Sequence, residues 1–310
     1  MEVNSIQNYH KHTCCSNIYT PDSPATYEQY AKRAVELGHK ILCSLEHGWQ
    51  GKYHECREIA IKYGLKFIFG TEAYWVKDRH EKDRTNCHIV LLAKNENGRE
   101  WINEVLSTAN EDGYYYRPRL DEELLFSLPP DDVFVTSACV AFWHYEPEYV
   151  EQLVCKLHDY FKDNFMLEIQ AHNTDKQKQL NARILELSKK YSIQMIVGLD
   201  SHYIYPEQAV ERDELLAASG THYDDEDGWY MDYPDDDTIR RRFAKQGVIP
   251  ADEVEKAMRN TDLICDFEDY KSEVFETNRK LPSIYPDKTP EEKFKIYNHL
   301  ISRKFKEYMK

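Results

Sequence analysis

Residues 164–202 read NFMLEIQAHNTDKQKQLNARILELSKKYSIQMIVGLDSH. An apolar run, FMLEI, reads as a strand. Thr174-Asp175 is a capping signal, and the stretch it opens is helix-like. A second apolar run, MIV, follows and reads as another strand. Strand, helix and strand in this order form a crossover unit, which predicts parallel pairing with the helix outside the sheet. Each strand ends in side chains able to hold a metal or a proton: Glu168 and His172 after the first, Asp200 and His202 after the second.

The same alternation extends toward the N-terminus. VNSIQNY, HKILCSL, LKFIFGTEAYWV, NCHIVLLAK and VFVTSA read as strands. PATYEQYAKRAVELG, YHECREIAIKYG, NGREWINEVLSTANED and PEYVEQLVCKLHDYF read as helices, the first two closed by glycine. About seven strands before residue 200 predict an α/β fold with a closed or nearly closed parallel barrel over 1–220. The character changes after that. THYDDEDGWYMDYPDDD reads as an exposed acidic loop and two helical stretches follow. YKSEVFETNRKLPSIYPDKTP reads as an extended tail, so that 221–285 forms an extension packed on the barrel. A basic amphipathic helix ends the chain over 286–310.

At 310 residues the chain can bury a large core. The formal net charge of −15 excludes a protein that grips nucleic acid by charge alone. An acidic chain acting on phosphates needs metals, a local basic patch or a partner. Eight cysteines without a CxxC pair read as reduced thiols. The absence of a long apolar run and of a secretory signal predicts a cytoplasmic location and no membrane partner.

Chemistry in parallel β/α folds collects where strands run out into loops. Ligand-type residues recur at those places. His10 and His12 stand two apart, a spacing that points both rings the same way on a strand. Asp22 follows in the loop; Glu46 and His47 end the second strand, Glu72 the third. His88 lies in the fourth, Cys139 ends the fifth, and Asp200 and His202 end the seventh. Imidazole, carboxylate and one thiolate suit Zn, Mn or Fe. Nine such residues exceed the needs of one ion and suit two or three divalent cations. Clustered cations are a general solution to phosphoester hydrolysis. In YYYRPRLD, Arg117 and Arg119 are candidate phosphate contacts, and Tyr115 and Tyr116 candidate stacking surfaces. Glu46, Glu168 and His172 are candidates for a supporting layer behind the ligands. Arg240, Arg241, Arg242 and Lys245 form a basic cluster that reads as a solvated helix face.

The phrases HKH, LEHG, GTE, CHIVLLAKNENG, EDGYYYRPRLDEELL, TSAC, LEIQAHN and LDSHYIYPEQAVERDELL resemble the PHP (polymerase and histidinol phosphatase) superfamily. More narrowly, they resemble the N-terminal PHP region of bacterial and phage DNA polymerase III alpha subunits. The resemblance implies a distorted (β/α)7 barrel with a C-terminal helical extension. It places the metal ligands at His10, His12, Asp22, His47, Glu72, His88, Cys139, Asp200 and His202. It implies a 3′–5′ exonuclease in which a metal-bound hydroxide attacks and no side chain is the nucleophile. The implied partners are single-stranded DNA or a DNA 3′ end, and a separate polymerase polypeptide or replisome component. Two other readings accompany it: a metal-stabilised scaffold within a polymerase, and a small-molecule phosphatase. The sequence departs from the family pattern at Glu46, Leu199 and the residues after Cys139. No polymerase palm is expected within this chain.

Overall fold

The computed structural model describes residues 6–19, 21–221, 228–271 and 284–309. Seven strands, β1 (Ile41–Ser44), β2 (Lys66–Trp75), β3 (Cys87–Ala93), β4 (Arg119–Leu120), β5 (Val133–Thr136), β6 (Phe165–Ile169) and β7 (Met195–Val197), form one curled sheet. Its order is β1-β2-β3-β5-β6-β7, with β4 beside β2. Helices α1 (Tyr27–Leu37), α2 (Tyr53–Tyr63), α3 (Glu96–Glu111), α4 (Glu122–Leu125), α5 (Pro147–Phe161) and α6 (Asp175–Tyr191) connect the strands. Further helices are α7 (Ala209–Ala218), α8 (Asp236–Gln246) and α9 (Ala251–Asn260). α2 covers β1 and β2, α3 covers β3, α5 and α6 cover β6, and α9 covers β7.

The segment β6-α6-β7 is the expected crossover unit, with Leu167, Glu168 and Ile169 in parallel register with Met195, Ile196 and Val197. Two sequence expectations need correction. The sheet is not all parallel, because β3 runs antiparallel to both β2 and β5. Residues 76–86 between β2 and β3 form no helix, and a parallel crossover needs one or an equally long connection. VNSIQNY is not a regular strand over its described residues, and residues 3–5 lie outside the description. The extended chain at His10–His12 instead meets the chain after β7 through a single parallel bridge between Lys11 and Ser201. His12 N donates to the Ser201 carbonyl at 2.8 Å, and the Tyr30 hydroxyl donates to the same carbonyl at 2.7 Å. Lys11, between the two histidines, turns the other way. Its ammonium lies 4.7 and 4.8 Å from the rings of Tyr27 and Tyr30, which fastens α1 to this segment.

Inside the curl, Tyr9, Ile41, Cys43, Leu45, Ile68, Val90, Leu92, Phe134, Met166 and Ile196 form a dry core. Ile264 and Phe267, from the chain after α9, join it. Glu268 N donates to the Lys94 carbonyl at 2.7 Å, and the Tyr270 hydroxyl donates to the Ala93 carbonyl at 2.7 Å. This segment therefore plugs the end of the barrel where β2 begins and β3 ends. The opposite rim is left for the ligand-type residues. A first compact unit runs from Met1 to Lys271 and a second from Ser272 to Lys310. The second holds α10 (Pro290–Tyr308), opened by a Thr289–Glu292 capping box. Parts of the expected acidic loop (222–227) and extended tail (272–283) fall outside the described residues. Among the described residues no helix is long and apolar enough to cross a membrane.

The close approach of α3 to the β5 entrance depends on Gly98. A Cβ there would lie 2.0 Å from the Asp132 carbonyl oxygen, which already accepts from Lys94 N at 2.8 Å. Backbone cannot yield as a side chain can. Gly98→Ala is expected to lower unfolding stability by about 1–3 kcal/mol, read as a reduced urea midpoint at an unchanged slope.

Candidate metal centre

Glu72 and Tyr74 alternate along β2 and face the same way. Glu72 is fully buried and its two oxygens meet four imidazoles. Oε1 lies 3.2 Å from His10 Nε2 and 3.0 Å from His88 Nδ1. Oε2 lies 3.4 Å from His12 Nε2 and 2.6 Å from His47 Nδ1. Cys139 Sγ stands 3.8 Å from Glu72 Oε1 and 3.5 Å from His88 Nδ1. Asp200 Oδ1 lies 3.4 Å from His10 Nε2 and 3.2 Å from His12 Nε2. Asp22 Oδ2 lies 3.5 Å from His202 Nε2. All nine residues expected as ligands thus meet in one cavity at the open rim.

Their routes into it differ. His10 and His12 arrive on extended chain, as expected. His88 lies at the start of β3, not its end, and reaches the same rim because β3 is antiparallel. Asp200 and His202 lie beyond β7, and Asp200 has φ +45°, so a left-handed turn and not strand alternation brings them together. The long loop carrying Asp22 is folded by Asn17, whose side-chain oxygen accepts from the backbone N–H groups of Asp22 and Ser23, both at 3.0 Å. The Ser23 hydroxyl then lies 2.9 Å from the His12 carbonyl and 2.7 Å from the His202 carbonyl.

A supporting layer sets which nitrogen of each ring faces inward. His10 Nδ1 lies 2.7 Å from Glu168 Oε1, and His202 Nδ1 lies 2.9 Å from the Asp200 carbonyl. Both oxygens can only accept, so each Nδ1 carries a proton. In the neutral ring Nε2 is then a bare lone pair. His12 follows the same rule by a relay. Ser16 donates its hydroxyl proton to Glu46 Oε2 at 2.5 Å and must accept from His12 Nδ1 at 3.0 Å. Glu46 also accepts from Thr13 N and the Thr13 hydroxyl, at 3.1 and 2.7 Å. Glu168 is held by the Tyr9 hydroxyl (2.8 Å), Thr136 (2.9 Å) and Gln170 (2.9 Å). Ser16, Tyr9 and Thr136 carried no sequence signal of their own. His172 is buried and accepts from Tyr230 N at 2.9 Å, its ring 4.5 Å from Trp229. It supports the rim near the cluster and contacts none of the nine in these bonds.

The residues fit divalent cations. Asp22 Oδ1 is buried without a hydrogen-bond partner, and His10 Nε2, His12 Nε2, His47 Nδ1, Glu72 Oε2 and Asp200 Oδ1 are buried and meet other members of the cluster as ion pairs. Three groups of donors, His12/His47/His202, His10/His12/Glu72 and His47/Glu72/His88, lie within 4.8 Å of one another. The electrostatics agree. Burial raises the Glu72 carboxyl, but His88, His10 and His47 outweigh it and hold Glu72 well below the usual carboxylate range. Asp200 is held low in the same way, against burial, by His10, His12 and His202. Burial pushes His47 down, yet Glu72, Asp22 and Asp200 lift it to about 9. Burial and the neighbouring His47 push His12 down to about 3. Burial, then the nearby Glu72 and Asp200 charges, raise the Cys139 thiol. The pull that draws protons onto His10 and His47 would equally draw a cation.

The arginine pair divides. Arg119 differs from the sequence reading of an open cationic side chain, because it is buried. Its guanidinium donates to the carbonyls of Gly113 (2.9 Å), Glu81 (2.8 Å), Asp83 (2.8 Å) and Arg79 (2.6 Å). Arg117 stays at the rim, over the rings of Tyr19 and Tyr74. Tyr116 is exposed with φ +63°, Tyr115 is half-buried, and their rings meet edge-on at 4.8 Å. The helix-face cations are paired, Arg240 with Glu255 and Asp237, and Arg242 with Asp232.

Gly198 makes room for Glu168, since a Cβ there would lie 1.9 Å from Glu168 Oε1. Glu168→Gln and Gly198→Ala are each expected to weaken metal affinity about 10–100-fold. Competition with a chromophoric chelator measures this. Unchanged affinity in both would show that His10 needs no carboxylate behind it.

The PHP domain family model matches residues 8–172. The chain is 31% identical over 225 residues to DNA polymerase III subunit alpha of Aquifex aeolicus, an alignment covering 67% of this chain and 19% of that protein. It is 27% identical over 310 residues to the DNA-directed DNA polymerase of Bacillus phage SPbeta, covering 85% of this chain and 23% of the relative. It is 28% identical over 279 residues to DNA polymerase III subunit alpha of Thermus aquaticus, covering 82% and 22%. The chain thus spans about a fifth of the length of these curated relatives. With the family model matching more than half of it, the chain belongs to the PHP domain family.

Proposed function

We propose that this chain is a metal-dependent phosphodiester hydrolase of the 3′–5′ exonuclease type, working on DNA 3′ ends beside a polymerase of the DNA polymerase III alpha kind. The observation that carries the proposal is the cluster of buried imidazole and carboxylate atoms that face one another at one rim, with three groups of donors close enough to share an ion. Buried carboxylates at Glu72, Asp200 and Asp22 repel a phosphodiester unless cations invert the local charge. Two or three divalent ions bound there would supply Lewis-acid polarisation of a phosphoryl oxygen and a water of lowered pKa.

The chain's own residues do the rest. Glu168, Ser16 and the Asp200 carbonyl keep three imidazoles in the tautomer that presents Nε2. The plugged floor of the barrel keeps solvent from entering behind the ligands. The similarity to DNA polymerases supports a nucleic-acid substrate over a small phosphate monoester.

The test is hydrolysis of a 5′-labelled single-stranded oligonucleotide with Mn or Zn added. A ladder of shortened labelled products is expected. The His10→Ala, His12→Ala double variant is expected to lose more than about 100-fold in rate, because supporting residues alone are worth 10–100-fold. Bound metal without cleavage would instead favour a metal-stabilised scaffold.

A further inference from the structure

Tyr74 lies one alternation beyond Glu72 on β2 and shares its face. Its ring is clamped on several sides. His88 meets it edge-on with centroids 5.2 Å apart, and His47 stacks toward it at 6.3 Å. Tyr19, on the loop that carries Asp22, meets it edge-on at 6.0 Å, and the Arg117 guanidinium lies 5.6 Å from its centroid. Gly48 backs the ring, since a Cβ there would stand 2.7 Å from Tyr74 Cε2 and 2.8 Å from Cδ2. Only 5% of the residue is exposed.

A ring held this way fixes where its hydroxyl lies. Among the described residues that hydroxyl makes no hydrogen bond. A buried tyrosine ordinarily sets its hydroxyl on an acceptor. Three others in this chain do so: Tyr9 donates to Glu168 Oε2 at 2.8 Å, Tyr30 to the Ser201 carbonyl at 2.7 Å and Tyr270 to the Ala93 carbonyl at 2.7 Å. The Tyr74 hydroxyl lies instead in the field of the ligand carboxylates. Burial raises its pKa, the Arg117 charge opposes this, and the Glu72 and Asp22 charges raise it further. It keeps its proton and is a donor beside the cluster. Its acceptor is therefore sought outside the chain. A phosphodiester offers two non-bridging oxygens that gather negative charge as phosphorus is attacked. A donor already positioned in an enclosed wall stabilises that charge without having to reorganise.

We propose that Tyr74 is a catalytic residue whose hydroxyl donates a hydrogen bond to a non-bridging oxygen of the phosphoryl group at the ligand cluster. The inference rests on the phosphodiesterase reading above and adds to it a protein donor beside the cations. No proton leaves the hydroxyl, and no bond to phosphorus forms through it.

Tyr74→Phe keeps the ring and removes only the hydroxyl. In competition with a chromophoric chelator it is expected to hold Mn as tightly as the unaltered protein. Calorimetric titration of the two Mn-loaded proteins with inorganic phosphate is expected to show about tenfold weaker binding in Tyr74→Phe. Its kcat/KM on the 5′-labelled oligonucleotide is expected to fall by about tenfold or more. Equal phosphate affinity in the two proteins overturns the proposal. So does unchanged kcat/KM, or a loss of phosphate affinity that accompanies an equal loss of Mn affinity. If the unaltered protein cleaves nothing, the phosphodiesterase reading fails, and phosphate binding still decides the contact. About tenfold weaker binding in Tyr74→Phe then upholds the hydroxyl as a phosphoryl donor, and equal binding overturns it.

Discussion

The structure turns on one carboxylate, Glu72, placed fully inside the protein with both oxygens facing imidazoles. An isolated buried carboxylate is strongly unfavourable, and pairing alone rarely recovers the loss of hydration. Asp200 and Asp22 share the cavity, and Glu46 and Glu168 lie just behind it. So much buried negative charge persists only where cations can enter. The inward atoms of His10, His12, His47, Glu72 and Asp200 meet one another there as buried ion pairs. Elsewhere in the barrel the interior is apolar, which confines the charged cavity to one rim.

The supporting layer explains one departure from the family pattern. Glu46 has one methylene more than an aspartate would. It uses that reach to accept from Ser16 and Thr13 at once, and so fixes His12 through Ser16. Gly51 accommodates it. At φ +63°, a Cβ there would stand 2.6 Å from Glu46 Cγ and 2.5 Å from the Tyr27 hydroxyl. The longer acid and the glycine opposite it work as a pair.

Most of this was legible in the sequence because donor types recurred where strands ended, and strand ends share a rim in β/α folds. What was not legible has specific causes. Antiparallel β3 cannot be read from NCHIVLLAK, since an apolar run carries no direction. His88 reaches the site only because that direction reverses. The Asp200–His202 spacing suggests strand alternation, but a left-handed turn at Asp200 carries both residues to the cluster. Arg117 and Arg119 are indistinguishable in RPR. The two-residue strand β4 separates them by turning Arg119 inward among four carbonyls.

Two residues beside the cluster have strained backbones. Ala138 and Asp200 both have φ +45°, a region where a residue with a side chain costs about 1–3 kcal/mol. Each touches the ligand set: Ala138 precedes Cys139, and Asp200 is itself a member. The same atoms restrain both places. Thr136 Oγ1 lies 3.3 Å from Ala138 N as an acceptor and 2.9 Å from Glu168 Oε2 as a donor. Glu168 fixes His10, and His10 Nε2 faces Asp200. The strain at Ala138 and the strain at Asp200 are thus joined through one hydroxyl, one carboxylate and one imidazole. A chain that only needed a stable barrel would relax these turns. Held as they are, these turns leave Cys139 Sγ 3.8 Å from Glu72 Oε1 and Asp200 Oδ1 3.4 Å from His10 Nε2.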